Sequence, residues 1–291
     1  MPDVKRKQKP EVSIIGAGRL GTTLAVALET RKYPIQSLVA RSVSSARKAA
    51  RLLDTEVQSL DAKQLDALRP ADLFLITTPD DQIANVAAQL AGLETDRYPV
   101  ALHTSGALSA EILAPLREKG WSIGSIHPLI SVTGDENSAL HGAFWSVEGD
   151  KAALRLGKAL VRDLGGKGFS IRSEDKALYH AAAVMSSGNV VALFDVALEM
   201  LVECGLTRKT AQSILLPLLA STVHNLETKD PSQALTGTFA RGDIETVNRH
   251  LEALRKPKLS DALELYRLLG TRSLKIIKKK HPRITQILKS L

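Results

Sequence analysis

Cysteine is almost missing from this 291-residue chain: Cys204 stands alone, so no disulfide can close within it. A reducing, cytoplasmic setting is the expectation that follows. Cys204 lies in the apolar helical stretch 198–206 and reads as a small buried residue rather than a nucleophile. Aromatic residues are scarce as well, at 4%, which leaves the core to Ala, Val, Leu and Ile and favours helix. No run of about 18 apolar residues is apparent, so no membrane span is expected. Residues 1–10 are polar and basic with no apolar h-region after them, so no signal peptide is expected. No metal site is expected either.

Charge is tilted to one sign. Against 31 Asp+Glu stand 39 Lys+Arg, a net charge of +8. Much of the excess sits at the two ends, in Lys5, Arg6, Lys7 and Lys9 and then in Lys275, Lys278, Lys279, Lys280, Arg283 and Lys289. Neither end carries interleaved aromatics or a recognition motif, so nucleic acid is not an expected partner. A general attraction to anionic small molecules is. The length suits two domains.

Up to about Arg172, short apolar runs alternate with helix-like stretches. Strands are expected at 12–15, 37–40, near Glu56–Val57, and at 72–77, 100–102, 122–126, 143–147 and 168–171. Helices are expected between them, at 19–31, 43–53, 80–90, 109–119 and 151–164. This alternation means βαβ units and a parallel sheet. From 174 to 205 a single helical pattern follows, interrupted only at 186–188. Further helices are expected at 207–226, containing Pro217, and at 244–254, 260–269 and 273–280, with a loop at 229–242. The fold class is therefore α/β: a Rossmann-type doubly wound parallel sheet over 10–172, followed by an all-helical domain over 173–291.

The segment Gly16-Ala-Gly18-Arg19-Leu20-Gly21 has the spacing G-x-G-x-x-G, follows a buried strand and opens a helix. In that context the glycines allow a tight turn, close approach of a pyrophosphate and close helix–strand packing, while the helix end holds the negative charge. The NAD-type carboxylate expected about 20 residues later is absent: the second strand ends in Ala40-Arg41-Ser42. A guanidinium at that place suits a 2′-phosphate, so NADP is favoured over NAD, with Ser42 as a neighbouring donor.

Three apolar strands end in polar groups where open sheets place their ligands. Thr77 and Thr78 lie near the cofactor by position, and Pro79-Asp80 reads as an ordinary helix start. Ser105, after His103, and His127 are substrate- or cofactor-side candidates. For either histidine, satisfaction by backbone groups at a strand end is the alternative. On the long helix, Lys176, His180, Ala183 and Ser187 share one face at helical spacing. A lysine and a histidine one turn apart suit carbonyl or imine polarisation and proton transfer, with Ser187 as a further donor; a tightly packed interdomain or dimer helix is the alternative. Thr236 and Arg241, in the stretch 234–243, are candidates for holding an anionic substrate.

Taken together, Gly16–Gly21, His103–Gly106, His127–Leu129, Lys176–His180 and 234–243 resemble one group of bacterial proteins. Its members join a Rossmann-like domain to a helical domain of unknown function. The group is similar to pyrroline-5-carboxylate reductase, prephenate dehydrogenase and the 6-phosphogluconate-dehydrogenase-like β-hydroxyacid dehydrogenases. The resemblance implies an NAD(P)-dependent oxidoreductase with its active site between the domains and a dimer built through the helical one. The chain departs from the pattern at His180, where β-hydroxyacid dehydrogenases carry Asn, and at Thr238 and Gly188, where Pro and Asn are expected. The expectation is a cytoplasmic, homodimeric NADP-dependent oxidoreductase reducing a C=O or C=N group of a small anionic metabolite. His180 is the first choice for proton donor. A non-catalytic NADP(H)-binding sensor or scaffold is the competing reading.

Overall fold

The computed structural model describes residues 8–131, 140–277 and 281–289. The basic residues Lys5, Arg6, Lys7, Lys278, Lys279 and Lys280 lie outside them. Two compact units divide the chain, one ending at Ser187 and the other beginning at Gly188.

The first unit is an eight-stranded sheet covered by helices. Its strands are β1 (Val12–Ile15), β2 (Ile35–Ala40), β3 (Gln58–Asp61), β4 (Leu73–Ile76), β5 (Val100–His103), β6 (Ser122–Pro128), β7 (Phe144–Gly149) and β8 (Lys167–Phe169). The helices are α1 (Arg19–Thr30), α2 (Val43–Ala50), α3 (Asp80–Ala91), α4 (Ala114–Glu118), α5 (Lys151–Asp163) and α6 (Lys176–Met185). The strand order is β3-β2-β1-β4-β5-β6-β7-β8. The first six strands are parallel, and β7 then runs antiparallel to β6. The third strand falls at Gln58–Asp61, just beyond the expected Glu56–Val57.

Register explains why β4 is apolar throughout and β1 is apolar except at the buried Ser13. Val12 lies beside Leu73, Ile14 beside Leu75 and Ile15 beside Ile76. Side chains alternate across a strand, so Val12, Ile14, Leu73 and Leu75 enter one core layer. There they meet Leu24 and Leu28 of α1 and Leu160 of α5. Ile15, Phe74 and Ile76 enter the other layer with Ile83 and Leu90 of α3 and Leu116 of α4. A strand buried on both faces has no polar alternation to show. The chain winds outward in opposite directions from β1 and β4, so a crevice opens beyond their carboxyl ends. The first unit continues past Arg172 to Ser187 because Lys176, at the start of α6, is buried against β5 and β6.

The second unit is helical among its described residues. It comprises α7 (Gly188–Glu203), α8 (Arg208–Thr228), α9 (Pro231–Ala234), α10 (Thr238–Arg241), α11 (Ile244–Ala253), α12 (Ser260–Ile276) and α13 (Pro282–Lys289). Its core joins Val247 and Leu251 of α11 to Leu274 of α12 and to Ile284 and Leu288 of α13. The stretch 229–242, expected as a loop, contains the one-turn helices α9 and α10.

Three expectations need correction here. The two helices expected at 260–269 and 273–280 are one element, α12, which runs through Gly270. A Cβ there would lie 2.5 Å from Phe239 Cζ, so the glycine admits a ring rather than ending the helix. Cys204 is exposed, not buried, because it sits in the turn that closes α7. Finally, the helical stretch Ser173–Glu203 is long and apolar enough on average to cross a bilayer, although Ser186, Ser187 and Asn189 break any strictly apolar run. It qualifies by length and composition alone.

Candidate functional site

The glycine turn is shaped from below by β4. Gly16 has φ +114, and a Cβ on it would lie 2.6 Å from both Thr77 C and Thr78 N. A Cβ on Gly21 would lie 2.2 Å from Gly16 O. Thr77 ties the two strand ends together by donating Oγ1–H to Gly16 O at 2.7 Å. Gly18 differs: a Cβ there would meet nothing within 4 Å, so the turn faces open space.

Arg19 and Leu20 begin α1, whose N-cap Gly18 offers no side-chain hydrogen bond and whose first turn holds no acid. The first amides of a helix lack intrahelical acceptors and carry its positive end. An open, uncapped helix end above a glycine turn is what a pyrophosphate requires, so the residues present fit a dinucleotide. Arg41 is exposed at the end of β2, with no hydrogen bond or ion pair among the described residues. Ser42 caps α2 by accepting from Ser45 N at 3.3 Å. Thr78 Oγ1 is buried without a partner among the described residues.

A second constellation lies beyond β5 and β6. Lys176 is 1% exposed, and its ammonium donates to Ser105 O at 3.0 Å and to Ser125 Oγ at 2.7 Å. Burial pushes it down to about 8, opposed by the charges of Glu148 and Asp80. Ser105 is engaged as a brace: its Oγ accepts from Ala107 N and Leu108 N and donates to Asp80 Oδ2 at 2.8 Å. Asp80 is thus more than a helix start, since it fastens the loop after β5 to α3.

His103 is fully buried and satisfied by backbone on both sides. Ser105 N donates to its Nδ1 at 3.2 Å, and Nε2–H reaches Ser109 O at 3.1 Å. Burial first, then the Lys176 charge, lowers it to about 3. The backbone alternative therefore describes His103.

His127 differs. Its Nδ1 lies 2.8 Å from Tyr179 OH, and its ring meets that of His180 edge to face at 5.5 Å. Burial, Lys176 and His180 lower it to about 4. His180 presents a buried Nδ1 with no partner among the described residues. Gly106 makes this junction possible, because a Cβ there would lie 2.4 Å from His180 Nδ1 and 2.8 Å from His127 Nε2.

The structure thus brings Lys176, His180, His127 and Ser105 together within the first unit. Ser187 is not among them: it is exposed and donates its hydroxyl to Ala183 O at 2.7 Å. Thr236 and Arg241 belong to the second unit. Tyr179, Ser125, Ser146 and Glu148 join the site without having been expected. Tyr179 had a local signal, lying three residues after Lys176 on the same helical face. Glu148 had one too, as a carboxylate inside an apolar strand. It is 5% exposed, accepting from Ala110 N at 2.6 Å and Ser173 Oγ at 2.6 Å.

Residues 2–128 match the Rossmann-like domain family, and residues 143–273 match the domain of unknown function DUF2520. No curated protein matches the chain. Among solved structures, a proposed NADP oxidoreductase from Bacteroides fragilis is similar at 21% identity and TM-score 0.75, covering 92% of this chain and 99% of its own. A protein from Thermotoga maritima is similar at 25% identity and TM-score 0.73, covering 92% and 98%. A pyrroline-5-carboxylate reductase from Coxiella burnetii shares the fold at 17% identity and TM-score 0.58, covering 93% and 98%. The chain thus joins a region matching the Rossmann-like domain to a region matching DUF2520.

Proposed function

We propose that this protein is an NADP-dependent oxidoreductase that reduces a C=O or C=N group of a small anionic metabolite. The observation that carries the reading is the convergence of His127, His180 and buried Lys176 beyond the strand ends of the sheet that bears the open glycine turn. The amides at Gly18–Leu20 would hold the pyrophosphate, and Arg41 would bind the 2′-phosphate. The nicotinamide supplies the hydride when bound. His180 gives the proton to the substrate heteroatom, and His127 orients that atom. Lys176 acts from behind: it holds the Ser105–Gly106 turn against β6, and its charge adds to burial, the larger cause, in favouring the neutral forms of His103 and His127. An anionic substrate agrees with the net charge of +8. The named oxidoreductases among the structural relatives support the class of reaction.

Calorimetric titration with NADPH and NADH tests this first. NADPH is expected to bind in the micromolar range, and Arg41→Ala is expected to weaken NADPH on the order of tenfold while sparing NADH. Binding of neither nucleotide removes the reading. Tight binding with no oxidation of NADPH by any carbonyl or imine compound leaves a non-catalytic nucleotide-binding protein.

A second copy of the chain is the proposed partner. Helices α7 and α8 expose Val191 at 70% and Leu218 at 64%, with Leu193, Ile214, Leu216 and Val223 also uncovered. Exposed apolar surface of this extent is characteristic of an interface, and a surface meeting its own copy closes with twofold symmetry.

A further inference from the structure

Ser146 occupies an unusual place in β7. Its hydroxyl is fully buried and has no hydrogen bond of normal geometry among the described residues. It nonetheless lies close enough to the Tyr179 phenol to favour the ionised form of that group, against the larger, opposite effect of burial. The sheet fixes this placement. His127 and Ser146 are paired across the antiparallel β6–β7 ladder, so their side chains share a face. Tyr179 reaches that face from α6 and meets His127 Nδ1 at 2.8 Å. Nε2 of the same ring has no hydrogen-bond partner among the described residues and lies over Gly106.

The direction of these contacts follows from the donors each group owns. A buried serine hydroxyl with no bond of its own is best satisfied by turning its hydrogen toward the nearby phenol oxygen, because an unmade buried hydrogen bond is costly. The phenol then turns its own hydrogen to the acceptor at 2.8 Å, which is Nδ1. A neutral imidazole whose Nδ1 accepts carries its proton on Nε2.

We propose that Ser146 and Tyr179 are positioning residues that hold His127 in the tautomer protonated on Nε2, so that His127 offers the substrate's carbonyl or imine a neutral N–H donor. The substrate part of this assignment rests on the oxidoreductase reading; the tautomer does not. A neutral donor polarises the substrate without giving up its proton, which leaves proton transfer to His180. The titratable and charged groups that act on His127 are His103 of β5 and Lys176, Tyr179 and His180 of α6. Glu148 of β7 and Asp80 of α3 act in turn on Lys176.

Nitrogen-15 spectra of the histidine rings of the full chain test the assignment, with the His127 signals identified by their loss in His127→Gln. The wild type is expected to show a protonated Nε2 and a bare Nδ1. In Tyr179→Phe the His127 titration midpoint is expected to rise by roughly one pH unit, because the donor that favoured the neutral ring is gone. Ser146→Ala is expected to move it the same way by less. If Nδ1–H donated to the phenol instead, losing the phenol would lower the midpoint. A lowered midpoint, an unchanged one in both variants, or a protonated Nδ1 in the wild type overturns the proposal. With a substrate in hand, Tyr179→Phe is expected to cut kcat on the order of tenfold with KM little changed, and to raise the acid limb of the pH profile. If the tautomer and midpoints behave as stated but no carbonyl or imine is turned over, the positioning role stands and the oxidoreductase reading falls.

Discussion

Replacing Lys176 with methionine separates two opposing effects of a buried ammonium. The side chain is 1% exposed, and burial lowers it from 10.5 to about 8. Each unit of that fall is worth about 1.4 kcal/mol, so the full cost of keeping the charged form folded is roughly 3 kcal/mol. Against it stand two charge-assisted hydrogen bonds, to Ser105 O and Ser125 Oγ. Losing them leaves buried acceptors short by about 1–3 kcal/mol each. At pH 7 the two effects nearly cancel, and Lys176→Met is expected to be close to the wild type in stability. The sign of the pH dependence is fixed by the direction of the shift. Below about 8 the lysine is charged in both states and the burial cost is present in full. As pH rises through 8 toward 10.5, the folded protein releases its proton before the unfolded chain does, so the wild type gains stability. Methionine gains nothing. Between pH 7 and pH 9 the wild type should therefore gain on the order of 1 kcal/mol over the variant, several-fold to tenfold in the folding equilibrium. Urea denaturation followed by tryptophan fluorescence measures this directly, since Trp121 and Trp145, the chain's two tryptophans, both lie in the first unit. A difference that stays flat or shrinks from pH 7 to pH 9 refutes the argument: the ammonium would then not be desolvated in the folded state.

Two glycine variants should part company. Gly18→Ala is expected to keep the wild-type melting temperature and lose NADPH affinity, because its methyl projects into open space where the pyrophosphate would lie. Gly21→Ala should instead destabilise the fold by about 1–3 kcal/mol, since its Cβ would sit 2.2 Å from Gly16 O; equal melting temperatures for the two would contradict this. For the apolar face, Leu218→Glu should convert a dimer to a monomer in sedimentation velocity, and a wild type that sediments as a monomer removes the proposal.

What the sequence disclosed was what is local. The glycine turn was visible because the apolar run 12–15, three glycines and a helix are contiguous. Lys176 and His180 could be paired from the sequence because one helical turn joins them. The rest depended on partners far along the chain. Ser105 looked like a ligand contact at a strand end, but its hydroxyl is occupied by Asp80, 25 positions away. Tyr179 meets a histidine 52 positions earlier, and only the folded sheet brings the two together. The interruption expected between 269 and 273 is absent, because Phe239 fills the space that Gly270 leaves and the helix runs on. Periodicity placed Cys204 on a helix but could not say whether anything covered it.

The pairing of His127 with Ser146 also dictates where the chain tolerates a change of length. Side chains alternate across a strand with a period of two, so one residue added between Trp145 and Glu148 would turn every later side chain of β7 to the opposite face. Glu148 would then leave the layer in which it holds Ala110 and Ser173. An added pair preserves the alternation but shifts the ladder by two rungs, carrying Glu148 away from those partners. The strand is thus a ruler that can be lengthened at its ends and not along its marked interval.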